Sequence, residues 1–434
     1  VENKANGGDV KVMHEISMSL YPKPLELFMT VRDKSSCAAL LESAEGPQNR
    51  ARFSIVAWGE IGRLSLAQGD RLDINAFREG LKRALPYDVP GRFKGGYIGY
   101  FSYETVANFE NLKLPNDSDG WPQYEFFLPE NIAVYDTVNS VVYTTDISIN
   151  GSNVNALPKF SLQNESIYDE QFIRSVKRIK GLIEQGYTFQ TVISKSYNYT
   201  IDGDASAIYE RLKKINPSPY MYYLKIDDRQ IIGSSPETLF RVDSGVVETF
   251  PIAGTRPRGA SPEEDLKLEK ELVSSEKERA EHLMLVDLAR NDIGKVCMPG
   301  TVKATDLMYV EKYSHVQHMV SRVVGSLLPG YDHLEVLKAT FPAGTVSGAP
   351  KPVSMKIIAS EEGTGRGPYA GAVGYFSADG NAEFSIAIRS AFINGSRIKV
   401  QAGAGIVYDS DPESELKEVK HKLRALKASM GVEQ

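Results

Sequence analysis

From Tyr168 to Gln185, apolar residues fall at Phe172, Val176, Ile179 and Ile183. This three-and-four spacing puts them on one helical face, and Gly186 supplies the stop. A second stripe, Leu416, Val419, Leu423 and Leu426, predicts a closing helix. Asp411 suits its N-cap and Pro412 its first position. Other stretches read as strands. Arg52 to Trp58 and Gly95 to Tyr103 are rich in β-branched and aromatic residues and bounded by glycine. Ala372 to Ser377 and Glu383 to Ile393 flank the turn Ala378-Asp379-Gly380-Asn381, and Asn394-Gly395 leads into Arg397 to Val407. Asp-Gly and Asn-Gly between such runs are hairpin signals. The resulting meander predicts antiparallel pairing, not a Rossmann-type parallel sheet.

The pattern lapses between Asp146 and Glu165, where Asn and Ser replace periodic apolar residues. This segment reads as a linker or long loop. It divides a shorter, strand-rich part, residues 14–150, from a longer mixed part, residues 166–430. The fold class expected is α+β. With 434 residues, 42% of them hydrophobic, the chain has material for a large core. A net charge of −6 and the lack of a dense basic block argue against nucleic acid as a partner. Two cysteines, Cys37 and Cys297, make no disulfide framework or metal spacing. Val1 to Val12 is polar, without the apolar run of a signal peptide. No stretch approaches the roughly 18 apolar residues of a membrane span. A cytoplasmic protein without a membrane partner is expected.

Several constellations could carry chemistry. Glu415 and Glu418 each precede a stripe residue of the closing helix, so they share the edge of its buried face, with Lys422 a turn on. Glu278 and Glu281 repeat that spacing on a second expected helix, which runs into an apolar, expectedly buried stretch from Leu283 to Leu288. Like charges three residues apart repel, and a hard divalent cation relieves them. The bland reading of either pair is a solvated helix face. His315 and His318 lack a zinc template, so a hydrogen-bonded structural role stands beside general acid–base work. Gly254-Thr255, Gly344-Thr345 and Gly403-Ala404-Gly405 could bring backbone N–H groups close to an anion, or simply be tight turns. The glycines of 363–367 lack the Rossmann spacing and a preceding strand, so no nucleotide cofactor is expected. Arg389, within the apolar run Ser385 to Phe392, needs a carboxylate partner, internal or foreign. From these residues alone no reaction follows.

Longer segments add a resemblance. Pro251–Gly259 (PIAGTRPRG), Glu281–Asp292 (EHLMLVDLARND), Thr340–Lys351 (TFPAGTVSGAPK) and Gly403–Glu415 (GAGIVYDSDPESE) together resemble the chorismate-utilising enzymes. The resemblance spans essentially the whole chain and is best from about Tyr168 onward. It implies a large antiparallel β-sandwich core with helices packed outside. Two positions point to the anthranilate-forming branch. Where isochorismate- and salicylate-forming members carry a water-activating lysine, this chain has Gln190, which cannot act as a base. Where aminodeoxychorismate-forming members carry a nucleophilic lysine in Pro-Ile-Lys-Gly-Thr, this chain has Ala253. Lys195 stands where arginine is common and is assigned no catalytic role.

The resemblance also implies roles. Glu281 and Glu418 would hold Mg2+, with Glu278 and Glu415 binding its waters or supporting it. Glu237 would protonate the departing hydroxyl of chorismate, and His318 would move a proton or place the leaving group. Tyr369 and Arg389 would hold the enolpyruvyl carboxylate. Gly254, Thr255, Thr345, Gly403, Gly405 and Lys422 would complete the pocket. Leu40–Ser43 (LLES) and Asn216–Met221 (NPSPYM) look like tryptophan-binding elements of feedback-inhibited members, through Glu42, Ser43, Asn216, Pro219, Tyr220 and Met221. On their own these stretches are an ordinary element end and a turn. Neither cysteine lies in the Gly-x-Cys-x-Gly turn of a class I glutaminase, so a separate glutamine amidotransferase subunit is expected, in a hetero-oligomer. The alternatives are an aminodeoxychorismate-forming subunit and a catalytically silent tryptophan-binding subunit.

Overall fold

The computed structural model describes residues 12–43, 52–84, 86–152, 155–313 and 316–432. Among them, every pairing between strands is antiparallel. The strands form a 12-stranded and a 10-stranded sheet. In the first, Cys37–Glu42, Tyr220–Ile226, Arg229–Ser235, Ser390–Asn394, Arg397–Ile406 and Gln190–Asp202 lie in that spatial order. In the second, Thr238–Asp243, Ala382–Ile386, Ala372–Ser377 and Gly96–Phe101 are successive neighbours. Both sheets therefore take strands from either side of the segment 146–165.

Alternation along each strand decides what lies where. Tyr222, Leu224, Ile231 and Phe392 of the first sheet share one apolar core with Phe101, Phe126, Phe240 and Phe384 of the second. The opposite face of the first sheet is covered by helices, among them Asp169–Glu184 and Pro412–Met430, which bury Phe172, Val176, Ile179, Val419 and Leu423. Each such side chain contributes about 1.5–3 kcal/mol when fully removed from water. Both stripe helices match their expected spans. Asp411 caps the last one, accepting a hydrogen bond from the Ser414 N–H at 2.9 Å. No helix among the described residues is long and apolar enough to cross a membrane.

Three local expectations change. The segment 146–165 is not all loop, because Lys159–Glu165 forms a strand on the long strand Gln190–Asp202. Its backbone gains ladder bonds there, although its side chains stay mostly exposed. The helix Glu276–Gly294 buries only one face, His282, Val286, Asp292 and Ile293, and leaves Leu283 43% exposed. It lies on the outside of the second sheet, so the apolar stretch 283–288 cannot all be covered. The run Glu383 to Ile393 is two strands, Ala382–Ile386 and Ser390–Asn394.

That last break positions the site. Arg229–Ser235 belongs to the first sheet and Thr238–Asp243 to the second, with only Pro236 and Glu237 between. Its neighbour makes the reverse passage, from Ala382–Ile386 to Ser390–Asn394, through Ala387, Ile388 and Arg389. The two passages are level: Gly233 pairs with Ser390 and Thr238 with Ser385. Arg389 takes a φ of 51° to make the turn, a left-handed conformation that costs a non-glycine residue about 1–2 kcal/mol.

Candidate active site

A cavity of ≈ 210 Å3 opens at this seam. Its wall includes Glu237, Thr255, His318, Thr345, Tyr369, Arg389, Gly403 and Lys422, all anticipated from sequence. They come from distant elements. Glu237 and Arg389 sit on the two passages between sheets. Thr255 and His318 are partners across the adjoining strands Ile252–Pro257 and Val316–Ser326. Thr345 lies in the short helical turn Gly344–Ser347, and Lys422 reaches in from the last helix.

Burial and partners give each group its character. The Glu237 carboxylate accepts a hydrogen bond from Thr345 Oγ1 at 2.8 Å. Burial pushes its pKa up to about 7, against the opposing pull of that bond and of Lys422 and Arg389. It is therefore substantially protonated at neutral pH. His318 Nδ1 is 2.9 Å from Thr255 Oγ1. Burial, with Arg389 nearby, lowers its pKa to about 4, so the ring is neutral and suits hydrogen bonding better than acid catalysis. The Arg389 guanidinium borders the cavity and makes no side-chain hydrogen bond or salt bridge among the described residues. Lys422 Nζ is held by the Gly403 carbonyl at 2.9 Å and by Glu418 at 2.7 Å.

Three glycines are needed for close approach. A Cβ on Gly403 would lie 3.0 Å from the Tyr369 hydroxyl, and one on Gly405 would lie 2.5 Å from Gln190 Nε2. Gln190 thus lies over Gly405, just beyond the cavity wall. Gly254, at φ 69°, would bring a Cβ to 2.9 Å from Glu278 Oε2.

The anticipated metal carboxylates lie on two helices beside the rim. Glu281 is raised in pKa mainly by burial and further by Glu278 and Glu418; Glu415 is raised by burial and by Glu418. The two helices therefore press negative charge on one another. Glu278 also pairs with Arg256 at 3.0 Å and Glu281 with Lys277 at 3.9 Å. No group of three or more acid, histidine or cysteine side chains converges among the described residues. Across the two helices only Glu281 and Glu418 are seen to act on one another, so the four glutamates form no closed cage.

Of the six residues expected to bind tryptophan, five border one cavity and Asn216 lies apart. Ser43, Pro219 and Tyr220 border a separate cavity of ≈ 90 Å3, with Tyr222, Phe53 and Pro90–Phe93. Glu42 and Met221 also border it, yet both lie on the strand face that packs under helices. The Glu42 carboxylate is bound there by Tyr209 Oη at 2.6 Å and Lys213 Nζ at 2.9 Å. Asn216 lines a crevice beside His318 and Arg389 instead. His315 lies outside the described residues. Lys195 is buried on the side away from the cavity, against Glu165, Asp169 and the Ile167 carbonyl.

Sequence reasoning missed the support behind the wall. Arg366 is 1% exposed. It donates to the carbonyls of Val346 (2.7 Å) and Val192 (2.9 Å), pairs with Glu362, and stacks 5.6 Å from the Tyr369 ring. A lone arginine in a glycine-rich turn was the available signal. Gln401, also on the wall, bonds Ser194 at 2.8 Å.

An arginine without a side-chain partner among the described residues and a buried acid with a raised pKa thus line one cavity at the seam of two antiparallel sheets. The chain belongs to the family of chorismate binding enzymes, which it matches over residues 36–428. Within that family its relatives include anthranilate synthase component 1 of Saccharolobus solfataricus, 54% identical over 96% of this chain and 99% of the relative. The counterpart from Aquifex aeolicus is 42% identical over 93% of this chain and 91% of its own. Among solved structures, anthranilate synthase component I from Streptococcus pneumoniae superposes with a TM-score of 0.78 at 34% identity, covering 89% of this chain and 93% of that one.

Proposed function

We propose that the chain is the chorismate-using subunit of an anthranilate synthase, converting chorismate and ammonia into anthranilate, pyruvate and water. One observation carries the reading: the Arg389 guanidinium, without a side-chain partner among the described residues, stands beside the Glu237 carboxyl on one cavity wall. Arg389, with Tyr369, binds the enolpyruvyl carboxylate of the dianion, a bidentate task suited to guanidinium. Glu237 gives its proton to the ring hydroxyl, which leaves as water while ammonia adds to the ring. His318, neutral and held by Thr255, receives that hydroxyl in a hydrogen bond. Loss of a ring proton and protonation of the enolpyruvyl methylene then release pyruvate and leave the aromatic ring. Gln190 cannot deprotonate water, and Ala253 offers no competing nucleophile.

The facing glutamates fit magnesium, since that ion commonly takes one or two protein carboxylates and completes its shell with waters and substrate. Glu281 and Glu418 would be its ligands, with Glu278 and Glu415 in support. Bound there, it would stabilise negative charge on the ring carboxylate as a Lewis acid.

The remaining reading is assembly and control. Ammonia comes from a separate glutamine amidotransferase subunit in a cytoplasmic hetero-oligomer, and tryptophan inhibits from the cavity beside Ser43 and Tyr220. The two sheets, which share one core, pack face to face as a sandwich. The deciding experiment incubates the purified chain with chorismate, Mg2+ and ammonium salt. Anthranilate plus pyruvate, absent with EDTA and absent when glutamine replaces ammonium, is the expected outcome. Aminodeoxychorismate without pyruvate would overturn it.

A further inference from the structure

One short segment lies between the cavity beside Ser43 and a crevice that shares His318 and Arg389 with the cavity at the seam. On one side, Ser43 Oγ donates to the Pro219 carbonyl at 2.7 Å, and Tyr220 lines the ≈ 90 Å3 cavity. On the other, Asn216, Ser218 and Pro219 line a crevice with Tyr313, His318 and Arg389. The segment is fastened to the substrate side by Ser234. Its hydroxyl donates to the Asn216 carbonyl, accepts from Asn216 Nδ2 at 3.3 Å, and lies 2.8 Å from Ser218 Oγ. The Ser234 N–H donates to the Arg389 carbonyl at 3.2 Å. Ser234 is fully buried and Ser218 is 2% exposed, so solvent cannot replace these bonds. Arg389, at φ 51°, is fixed by such neighbours and not by its own preference.

We propose that Ser234 is a positioning residue for Arg389 and the relay of inhibition. Tryptophan in the cavity beside Ser43 displaces residues 216–219, and Ser234 passes that displacement to Arg389, weakening its hold on chorismate. This rests on the tryptophan reading above. A ligand shifts an equilibrium only through different affinity for the two arrangements. The linked arrangements here are those of one segment bonded at both ends. The coupling is reciprocal, so chorismate weakens tryptophan binding by the same factor.

Ser234→Ala and Ser218→Ala test it, each cutting the link while leaving the Ser234 N–H to Arg389. Tryptophan binding is read by equilibrium dialysis, and chorismate kinetics are read with and without saturating tryptophan. In the wild type, tryptophan should raise the KM for chorismate about 5- to 100-fold with a smaller effect on kcat. In Ser234→Ala that rise should fall to about twofold while tryptophan still binds, and Ser218→Ala should fall between, as expected for losing one buried hydrogen bond. Undiminished inhibition in a folded variant would overturn the relay. If Ser234→Ala does not fold, Ser218→Ala alone decides by the same comparison. A wild-type chain that binds no tryptophan would overturn the relay through the effector reading itself, a failure separable from the first by dialysis.

Discussion

Glu237 and Arg389 stand beside one another because two neighbouring strands leave their sheets at the same level, in opposite directions. Gly233 pairs with Ser390 just before the passage and Thr238 with Ser385 just after it. The acid is held by Thr345, whereas the arginine is left without a side-chain partner among the described residues. Each charge moderates the other, but burial dominates both.

If Glu237 is the acid, its protonation state sets the alkaline limb. Its pKa is raised to about 7, so the active acid form is present below that pH and is lost as pH rises through it. The kcat profile of the wild type should fall above about pH 7, tenfold per unit. Glu237→Gln should lower kcat by about 100- to 10,000-fold and leave no such limb. An unchanged limb in the variant would assign it to another group.

Replacing Arg389 by lysine keeps the charge and removes the fork. The KM for chorismate should rise about 10- to 100-fold, the loss of a charge-assisted bidentate contact. Circular dichroism and thermal unfolding should stay near wild type, since no ion pair among the described residues is broken. Wild-type KM would remove Arg389 from the substrate site.

Magnesium should stabilise the chain by relieving repulsion between Glu281 and Glu418. At about 100 times its Kd, the gain is about 2.7 kcal/mol, visible as a raised Tm. Glu281→Gln should abolish both that shift and magnesium-dependent turnover. Retention of either would move the ion elsewhere.

Gly405→Ala tests the place of Gln190. The added methyl would meet Gln190 Nε2 at 2.5 Å, so the amide must swing away. Ammonium-dependent anthranilate formation should drop at least about tenfold, a typical result of small misplacements at a reacting centre. Gly181→Ala, in the helix Asp169–Glu184 with nothing within 4 Å of an added Cβ and no left-handed φ, serves as the control. Equal loss in both would mean a general folding defect.

The stripe helices and hairpin turns were legible because each is encoded within a few residues: the 3.6 period, an Asp cap, an Asn-Gly turn. The family resemblance likewise implied roles for Glu237, His318, Tyr369 and Lys422, which the fold gathers around one cavity. The partners of Glu42 were not legible, because face alternation, not residue type, decides direction. Its strand sends it under the helices to Tyr209 and Lys213. Ser234 was silent in sequence and Arg366 only weakly marked, since their partners lie mostly on other elements.

By itself, then, the sequence determined the two stripe helices and the hairpin strands, that the pairing is antiparallel, and which side chains have chemistry to offer. Only the tertiary structure decided that Glu383 to Ile393 breaks at Arg389 and crosses between sheets. No local pattern marks that break. It arises because the two sheets share a core, and a strand serving both must turn where they meet. That turn places Arg389 on the cavity wall, next to the carboxyl of Glu237.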